Sequence, residues 1–343
     1  MIKRALATLG ICAALAGSSY SNINHTQFQD PVKPRQSLEH RISISQKPID
    51  AVPQLSLSVD DILTRIIENH PDPKIKDNIA YEFPAFQRVL QARPHIEAIA
   101  KDYKHVEPYS LLGMVKQESQ GRLGVQSSRS GAIGPFQMLY AGSYGFIYDL
   151  MFSETLQVTD PKTGRKQTVP DYANINRRKN YEPQLKRMKD YLSAHNILVA
   201  PNSSTSYQQA KQQTWNNLKN HFEKIKSFDD IHPHQDFERY HFGWEAGIIY
   251  KDYLNSEVKR NFESAGIRYT PEIGLAAYNA GPTRIRNLKG KIPNNGETPH
   301  YVDMVNLYAQ VFERIDGVKE AMHDINKHIT ALNNAKQRFA QRD

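Results

Sequence analysis

From residue 58 onward, apolar side chains recur at intervals of three and four, the signature of helices with one buried face. Val59, Ile62, Leu63, Ile66 and Ile67 make the first stripe, opened by Ser58 as an N-cap with Asp61 three residues on and closed by Pro71 and Pro73. A second helix is expected over about 84–92. Pro94 suits the first position of a third, with Ile96, Ile99 and Tyr103 on one face, and Pro108 opens a fourth carrying Leu111, Leu112, Met114 and Val115. A glycine-rich turn region, Gly121 to Gly134, leads to a helix from about Pro135. Helical spacing returns near Phe242 with Trp244, Ile248, Ile249, Tyr253 and Val258, and continues near 271–280 and 299–314. After a break at Asp316-Gly317, Val318, Met322, Ile325, Ile329 and Leu332 alternate by four and three, a heptad seam that either packs on its own domain or meets a partner or second copy.

Residues 149–243 follow a different pattern and read as an insertion. Asp160-Pro161-Lys162-Thr163-Gly164 is turn chemistry between Leu156-Val158 and Thr168-Val169, which predicts a small β-hairpin. Two polar helices follow, near 181–195 and 206–226. Between Lys162 and Lys189 stand nine cations and two acids, either a solvated face or a contact for anionic glycan, lipid or a partner. The fold class expected is therefore mainly α, with a mixed insertion and a C-terminal amphipathic helix.

The N-terminal pattern is an address. Lys3 and Arg4 precede an apolar run from Ala5 to Ala16, and Ala14-Leu15-Ala16 is a small-x-small cleavage signal. The run is too short to span a bilayer comfortably, so residues 1–16 read as an export signal that takes Cys12, the single cysteine, with it. Ile11 stands where a lipoprotein signal needs a small residue, so membrane association is possible but not required. Residues 17–57, rich in Ser, Gln, Asn and Pro, read as a tether. The expected order is thus signal, tether, 58–148, insertion 149–243, 244–316, and a helix over 317–343. In all, 343 residues, 39% hydrophobic and 23% charged, suit a globular chain with a sizeable core. The net charge of +8 is modest, no nucleic-acid motif is present, and export leaves the periplasm or envelope of a bacterium as the destination.

The chemistry centres on Glu118. It follows Val115, Met114 and Leu111 by three, four and seven residues, so its carboxylate projects from the apolar face of a helix. Desolvation there raises a carboxyl pKa and keeps a glutamic acid protonated for donation.

Four fragments extend this reading. Gln117-Glu118-Ser119, Gly131-Ala132-Ile133-Gly134-Pro135-Phe136-Gln137-Met138, Ala277-Tyr278-Asn279-Ala280-Gly281-Pro282, and Glu297-Thr298 with Tyr301-Val302 occur in this order. Together they resemble the lytic transglycosylases that share a fold with goose-type lysozyme, over about 95–148 and 240–315. The resemblance implies a lysozyme-like helical domain that cleaves the β-1,4 bond between N-acetylmuramic acid and N-acetylglucosamine in peptidoglycan glycan strands, without a cofactor. It implies that Glu118 donates a proton to the leaving oxygen and then takes one from the muramic acid's C6 hydroxyl as an anhydro ring closes. It also implies that Ser119, Gln137 and Met138 line the cleft, that Tyr278, Asn279 and Ala280 contact sugar, and that Tyr301 bonds the catalytic carboxylate. Glu297 is expected to be structural.

The chain departs from the family after Ser119, where Gln120-Gly121-Arg122-Leu123 replaces an aromatic and Asn-Pro, and at Pro135 and Phe136, where Leu and Met are frequent. These changes bear on the rim. His232, His234 and His241 with Asp229 and Asp230 lack metal-ligand spacing, so no metal is expected. The competing functions are a muramidase that uses water and a second acid, and a wall-binding assembly factor that reaches an envelope or secretion machine through the insertion or the C-terminal helix.

Overall fold

The computed structural model describes residues 53–340, apart from 55, 125, 128–129, 162, 227–240 and 295. The segment read as an export signal, nearly all of the segment read as a tether, and His232, His234, Asp229 and Asp230 lie outside the described residues. The fold is mainly helical, with one two-stranded antiparallel sheet among the described residues. No described helix is long and apolar enough to cross a membrane. The chain divides into two units, Ile67–Glu313 and a smaller one that joins residues up to Ile66 with Arg314–Asp343.

In the smaller unit, α1 (Val59–Glu68) starts as its sequence dictates. The Ser58 amide donates to Asp61 Oδ2 at 3.1 Å, and the Asp61 amide donates to Ser58 Oγ at 3.0 Å, a reciprocal box that satisfies two orphan donors. Ile62 and Leu63 are buried. In the C-terminal seam Val318 is buried, Met322, Ile325 and Ile329 are half-buried, and Leu332 is 58% exposed, so the stripe weakens toward its end.

Three expected boundaries are corrected, two of them in the larger unit. After the single turn α2 (Pro73–Lys76), the helices expected over 84–92 and from Pro94 are one helix, α3 (Ile79–Ala100), with both prolines inside it. Each proline removes a ladder bond at a cost of about 3 kcal/mol. Phe86, Val89, Ala92 and Ile96 are fully buried along one stripe, and at roughly 1.5–3 kcal/mol per large apolar side chain their burial offsets that loss. The helix expected from Pro135 begins at Ser143 (α5, Ser143–Phe152). Phe136 is drawn into the core and the backbone takes positive φ at Gly134 and Gln137, so 134–137 forms a tight loop instead. It is closed by reciprocal bonds, Ile133 N to Met138 O at 3.0 Å and Met138 N to Ile133 O at 2.8 Å. Finally, Gly317 does not end a helix, because the last helix runs from Glu297 to Ala340 without a break. A mid-helix glycine costs about 1 kcal/mol, less than the burial of Phe312, Ile315 and Val318 around it returns.

The stretch 149–243 begins inside α5 and ends inside the helix that opens at His241, and it belongs to the larger unit. Its hairpin forms, β1 (Thr155–Thr159) against β2 (Lys166–Pro170), with Leu156 opposite Val169 and Val158 opposite Gln167. An additional helix, α6 (Tyr172–Asn180), precedes α7 (Glu182–Ala194) and α8 (Tyr207–Lys226). Leu185, Met188, Leu218 and Phe222 are buried, and Trp215 packs 4.7 Å from Tyr144 of α5, centroid to centroid. Much of the basic run is spent on structure. Arg177 pairs with Glu257, Arg178 donates to Leu150 O and Ser153 O, Lys189 to Met151 O, and Arg187 to Asp102 and Glu245. Beyond it, α9 (His241–Tyr253) passes through a π-helical turn, Leu254–Val258, into α10 (Lys259–Ser264), followed by α11 (Pro271–Ala280), α12 (Pro282–Asn287) and α13 (Glu297–Ala340).

Candidate active site

Glu118 lies in the last turn of α4 (Pro108–Ser119), whose start is fixed by Glu107 accepting the amides of Tyr109 and Ser110. Leu111, Met114 and Val115 are fully buried, so the apolar face expected from spacing is real, and Glu118 on it is half-buried. The helix ends at once: Gln120 turns left-handed at φ 56°, and Arg88 Nε donates to its carbonyl at 2.9 Å. A helix C-terminus is itself unfavourable for a carboxylate.

The neighbour that matters is α13. A β carbon on Gly113 would stand 2.4 Å from Val305 O and 3.1 Å from Ala309 N, so only glycine allows this approach. Phe86 of α3 closes the other side, edge-on to Tyr308 and Phe312 at 5.5 and 5.3 Å. Tyr301 is one turn before Val305 on the same face. Its hydroxyl is buried with no formed hydrogen bond, and it acts on the Glu118 carboxyl. Burial pushes that carboxyl up to about 8 from an ordinary 4.5; the Tyr301 hydroxyl pulls it back, and the Glu297 carboxylate raises it further. Tyr301 is itself held well above its usual range, first by burial and then by Glu118, so it stays a neutral donor.

A groove of about 1230 Å³ meets this centre through Tyr278; Glu118 and Tyr301 are not among its lining residues. Of the residues expected from sequence, Gln137, Tyr278, Asn279 and Ala280 line it. Their placement follows from the 134–137 loop. Gln137 takes a left-handed φ of 46°, held by its own amide and by Nε2, both donating to Gly134 O at 3.0 Å. Gly247 of α9 leaves room for Phe136, which a β carbon there would meet at 2.3 Å, and the Tyr278 hydroxyl donates to Phe136 O at 2.9 Å. Tyr278 therefore joins the two parts: it lines the groove, and the Glu118 charge contributes to holding its hydroxyl neutral after burial does. Thr298 Oγ1 donates to Asn279 Oδ1 at 2.8 Å, tying the start of α13 to α11. Gly281, at φ 87°, ends α11 and lets Pro282 start α12 along the groove wall.

Ser119 and Met138 are placed otherwise. Ser119 is buried and its hydroxyl donates back to Val115 O at 3.0 Å, while Met138 is fully buried beneath the loop; neither is among the lining residues. Sequence reasoning missed Lys211 and Asp149. Lys211, from α8 of the insertion, reaches the groove and pairs with Asp149 of α5 at 2.6 Å, with the Tyr207 hydroxyl on the same carboxylate. A polar helix gives no sign of which lysine turns inward, so no sequence signal marked it. Glu297, expected to be structural, is the carboxylate that acts on Glu118.

A second buried carboxylate, Glu245 of α9, takes the Tyr103 hydroxyl at 3.1 Å, His241 Nε2 at 2.7 Å and the Arg187 guanidinium. Burial pushes it up, but His241 and Arg187 outweigh that and leave it below the ordinary carboxylate range. It is a structural anion that ties α7 to α9. Among the described residues no group of three or more His, Cys, Asp or Glu could hold a metal ion.

Compared with protein-family profiles, curated proteins and solved structures, the chain finds no match in any of the three.

Proposed function

We propose that the chain is an exported lytic transglycosylase with a lysozyme-like catalytic domain, cleaving the N-acetylmuramic acid to N-acetylglucosamine β-1,4 bond of peptidoglycan and leaving 1,6-anhydromuramic ends. The observation that carries this is the Glu118 carboxyl, pushed up to about 8 by burial and acted on by the Tyr301 hydroxyl; the Glu118 charge is felt by Tyr278, a residue that lines the groove together with Gln137, Asn279 and Ala280. One pH unit below its pKa an acid is roughly nine-tenths protonated, so at pH 7 Glu118 is ready to donate. After it protonates the leaving glycosidic oxygen, it is a carboxylate whose charge burial disfavours, and therefore a strong base for the C6 hydroxyl. That hydroxyl already belongs to the reacting sugar, so ring closure is intramolecular and faster than attack by water. The neutral Tyr301 hydroxyl steadies the carboxylate between the two steps.

The groove supports an extended polar substrate. It combines aromatic faces, Phe146, Tyr250 and Tyr253, with amides and the paired Lys211 and Asp149, a lining that suits sugar rings and their substituents. In this reading the insertion is a wall of the cleft through α8, and the work is wall remodelling or opening a gap for an envelope-spanning machine. One observation favours a muramidase instead: Glu297 supplies a second carboxylate within electrostatic reach of Glu118, and inverting hydrolysis needs such a base for water. Glu118→Gln tests catalysis itself. It should abolish lysis of purified sacculi while glycan still binds; retained lysis would end the proposal.

A further inference from the structure

Away from the groove, a cavity of about 610 Å³ opens where the segment after α3, the start of α7 and the helix α9–α10 face one another. Two buried polar groups stand at its wall, one without a hydrogen-bond partner and one an anion with neutral partners alone. Gln184 of α7 is 8% exposed, and its Oε1 is buried without a hydrogen-bond partner. Asp252 of α9 is 6% exposed; its carboxylate takes the His105 amide at 3.0 Å and the Tyr181 hydroxyl at 2.8 Å, one neutral donor on each oxygen. Each of those oxygens keeps a further lone pair, and among the described residues no cation is paired with it. An unpaired acceptor and an uncompensated anion are both costly when buried, and such groups are retained where something binds them.

The backbone carries a second mark. The helix that supplies this wall is interrupted at Leu254–Val258 by a π-helical turn, a rare wide turn that is frequent at functional sites. Asp252, Asn255, Ser256 and Lys259 line the cavity on either side of and within that turn. At the mouth the exposed groups are mixed: Lys104 and Arg260 stand beside Lys259, which pairs with Glu263 at 4.0 Å, and beside Asp102, which pairs with Arg187. The buried wall thus presents acceptors, and the rim offers Lys104 and Arg260 as cations beside acids that already have partners.

We propose that this cavity binds the zwitterionic end of an amino acid or peptide, with its ammonium on Asp252 and Gln184 Oε1 and its carboxylate toward Lys104 and Arg260. A neutral sugar would leave the Asp252 charge unanswered, and an anion would meet it at the inner wall. The assignment does not rest on the reading of the groove as a glycan cleft.

Isothermal titration of the intact chain tests it with four probes: meso-diaminopimelic acid, its bis-N-acetyl derivative, the tripeptide alanyl-glutamyl-diaminopimelic acid, and N-acetylglucosamine. Binding of the free amino acid at millimolar or lower concentration is expected, with a loss of about tenfold or more on acetylation because the charged donor is gone. Tighter binding of the tripeptide would identify a peptide end as the source, and equal binding a free amino acid; both support the site. Gln184→Met makes no change to any formed bond and should fold normally by thermal denaturation, yet weaken binding about tenfold. Asp252→Asn should weaken it further; if that variant unfolds, the Gln184→Met result decides. Absence of heat with both ammonium-bearing probes, equal binding of the acetylated compound, preference for N-acetylglucosamine, or undiminished binding by folded Gln184→Met would each overturn the proposal.

Discussion

The raised Glu118 pKa is a statement about stability as well as catalysis. A carboxyl whose pKa is higher folded than unfolded stabilises the native state only while it is protonated. Its contribution is fully present below about pH 4.5 and is lost as pH rises through about 8. At about 1.4 kcal/mol per pH unit, a rise from 4.5 to about 8 sets an upper bound of roughly 5 kcal/mol. Glu118 is half-buried, and water reaching it reduces the expected effect to about 2–3 kcal/mol. Glu118→Gln keeps the shape and removes the ionisation. Urea denaturation of both proteins at pH 4, 6, 7, 8 and 9 should therefore show the variant equal in stability at pH 4, increasingly more stable between pH 5 and 8, and ahead by a constant margin above pH 9. A difference independent of pH, or a variant less stable at pH 9, would refute the claim that burial holds this carboxyl neutral.

Three further outcomes follow from the same geometry. In Tyr301→Phe the group that pulls the Glu118 carboxyl down is lost, so the alkaline limb of wall lysis should move upward in pH; because that hydroxyl makes no formed bond, stability should change by less than about 1 kcal/mol. A downward move of the limb would contradict the assignment. Gly113→Val places side-chain atoms against the Val305 carbonyl, a backbone group that can yield only by moving α13, so denaturation should show a loss of roughly 2–3 kcal/mol or more and lysis should fall with the displaced Tyr301; wild-type stability would show that the helices need not touch there. Glu245→Gln should destabilise by about 3 kcal/mol at neutral pH, an effect present above about pH 4.5 and fading in acid as the wild-type carboxylate is protonated. An equal loss at pH 3 and pH 7 would mean that the charge is not what holds α7 to α9.

What the sequence revealed and what it hid divide along physical lines. Local codes were legible: the Ser58 and Asp61 box, Pro108 opening α4, the turn residues of the hairpin, and the stripe that puts Glu118 on an apolar face all depend on residues a few positions apart. The errors share a cause, since Pro94 within α3, Gly317 within α13 and the late start of α5 are each a local preference overruled by burial that only the folded chain supplies. In the site, Gln137, Tyr278, Asn279 and Ala280 come together along the groove where the family resemblance led us to expect them. Ser119 does not join them, because a serine at a helix end satisfies itself on the preceding carbonyl. Lys211 and the electrostatic role of Glu297 arise from contacts across some sixty and a hundred and eighty residues, with no periodicity to announce them. Gly113 and Gly247 read as ordinary helix residues, and only the approach of Val305 and Phe136 explains them.

The central claim is that Glu118 directs an intramolecular ring closure. Purified sacculi digested with the protein and analysed by mass spectrometry of the released muropeptides test it directly. The account predicts 1,6-anhydromuramic ends, lighter by one water than reducing ends and absent from digests with Glu118→Gln. Reducing muramic ends would contradict it and transfer the chemistry to water activated beside Glu297.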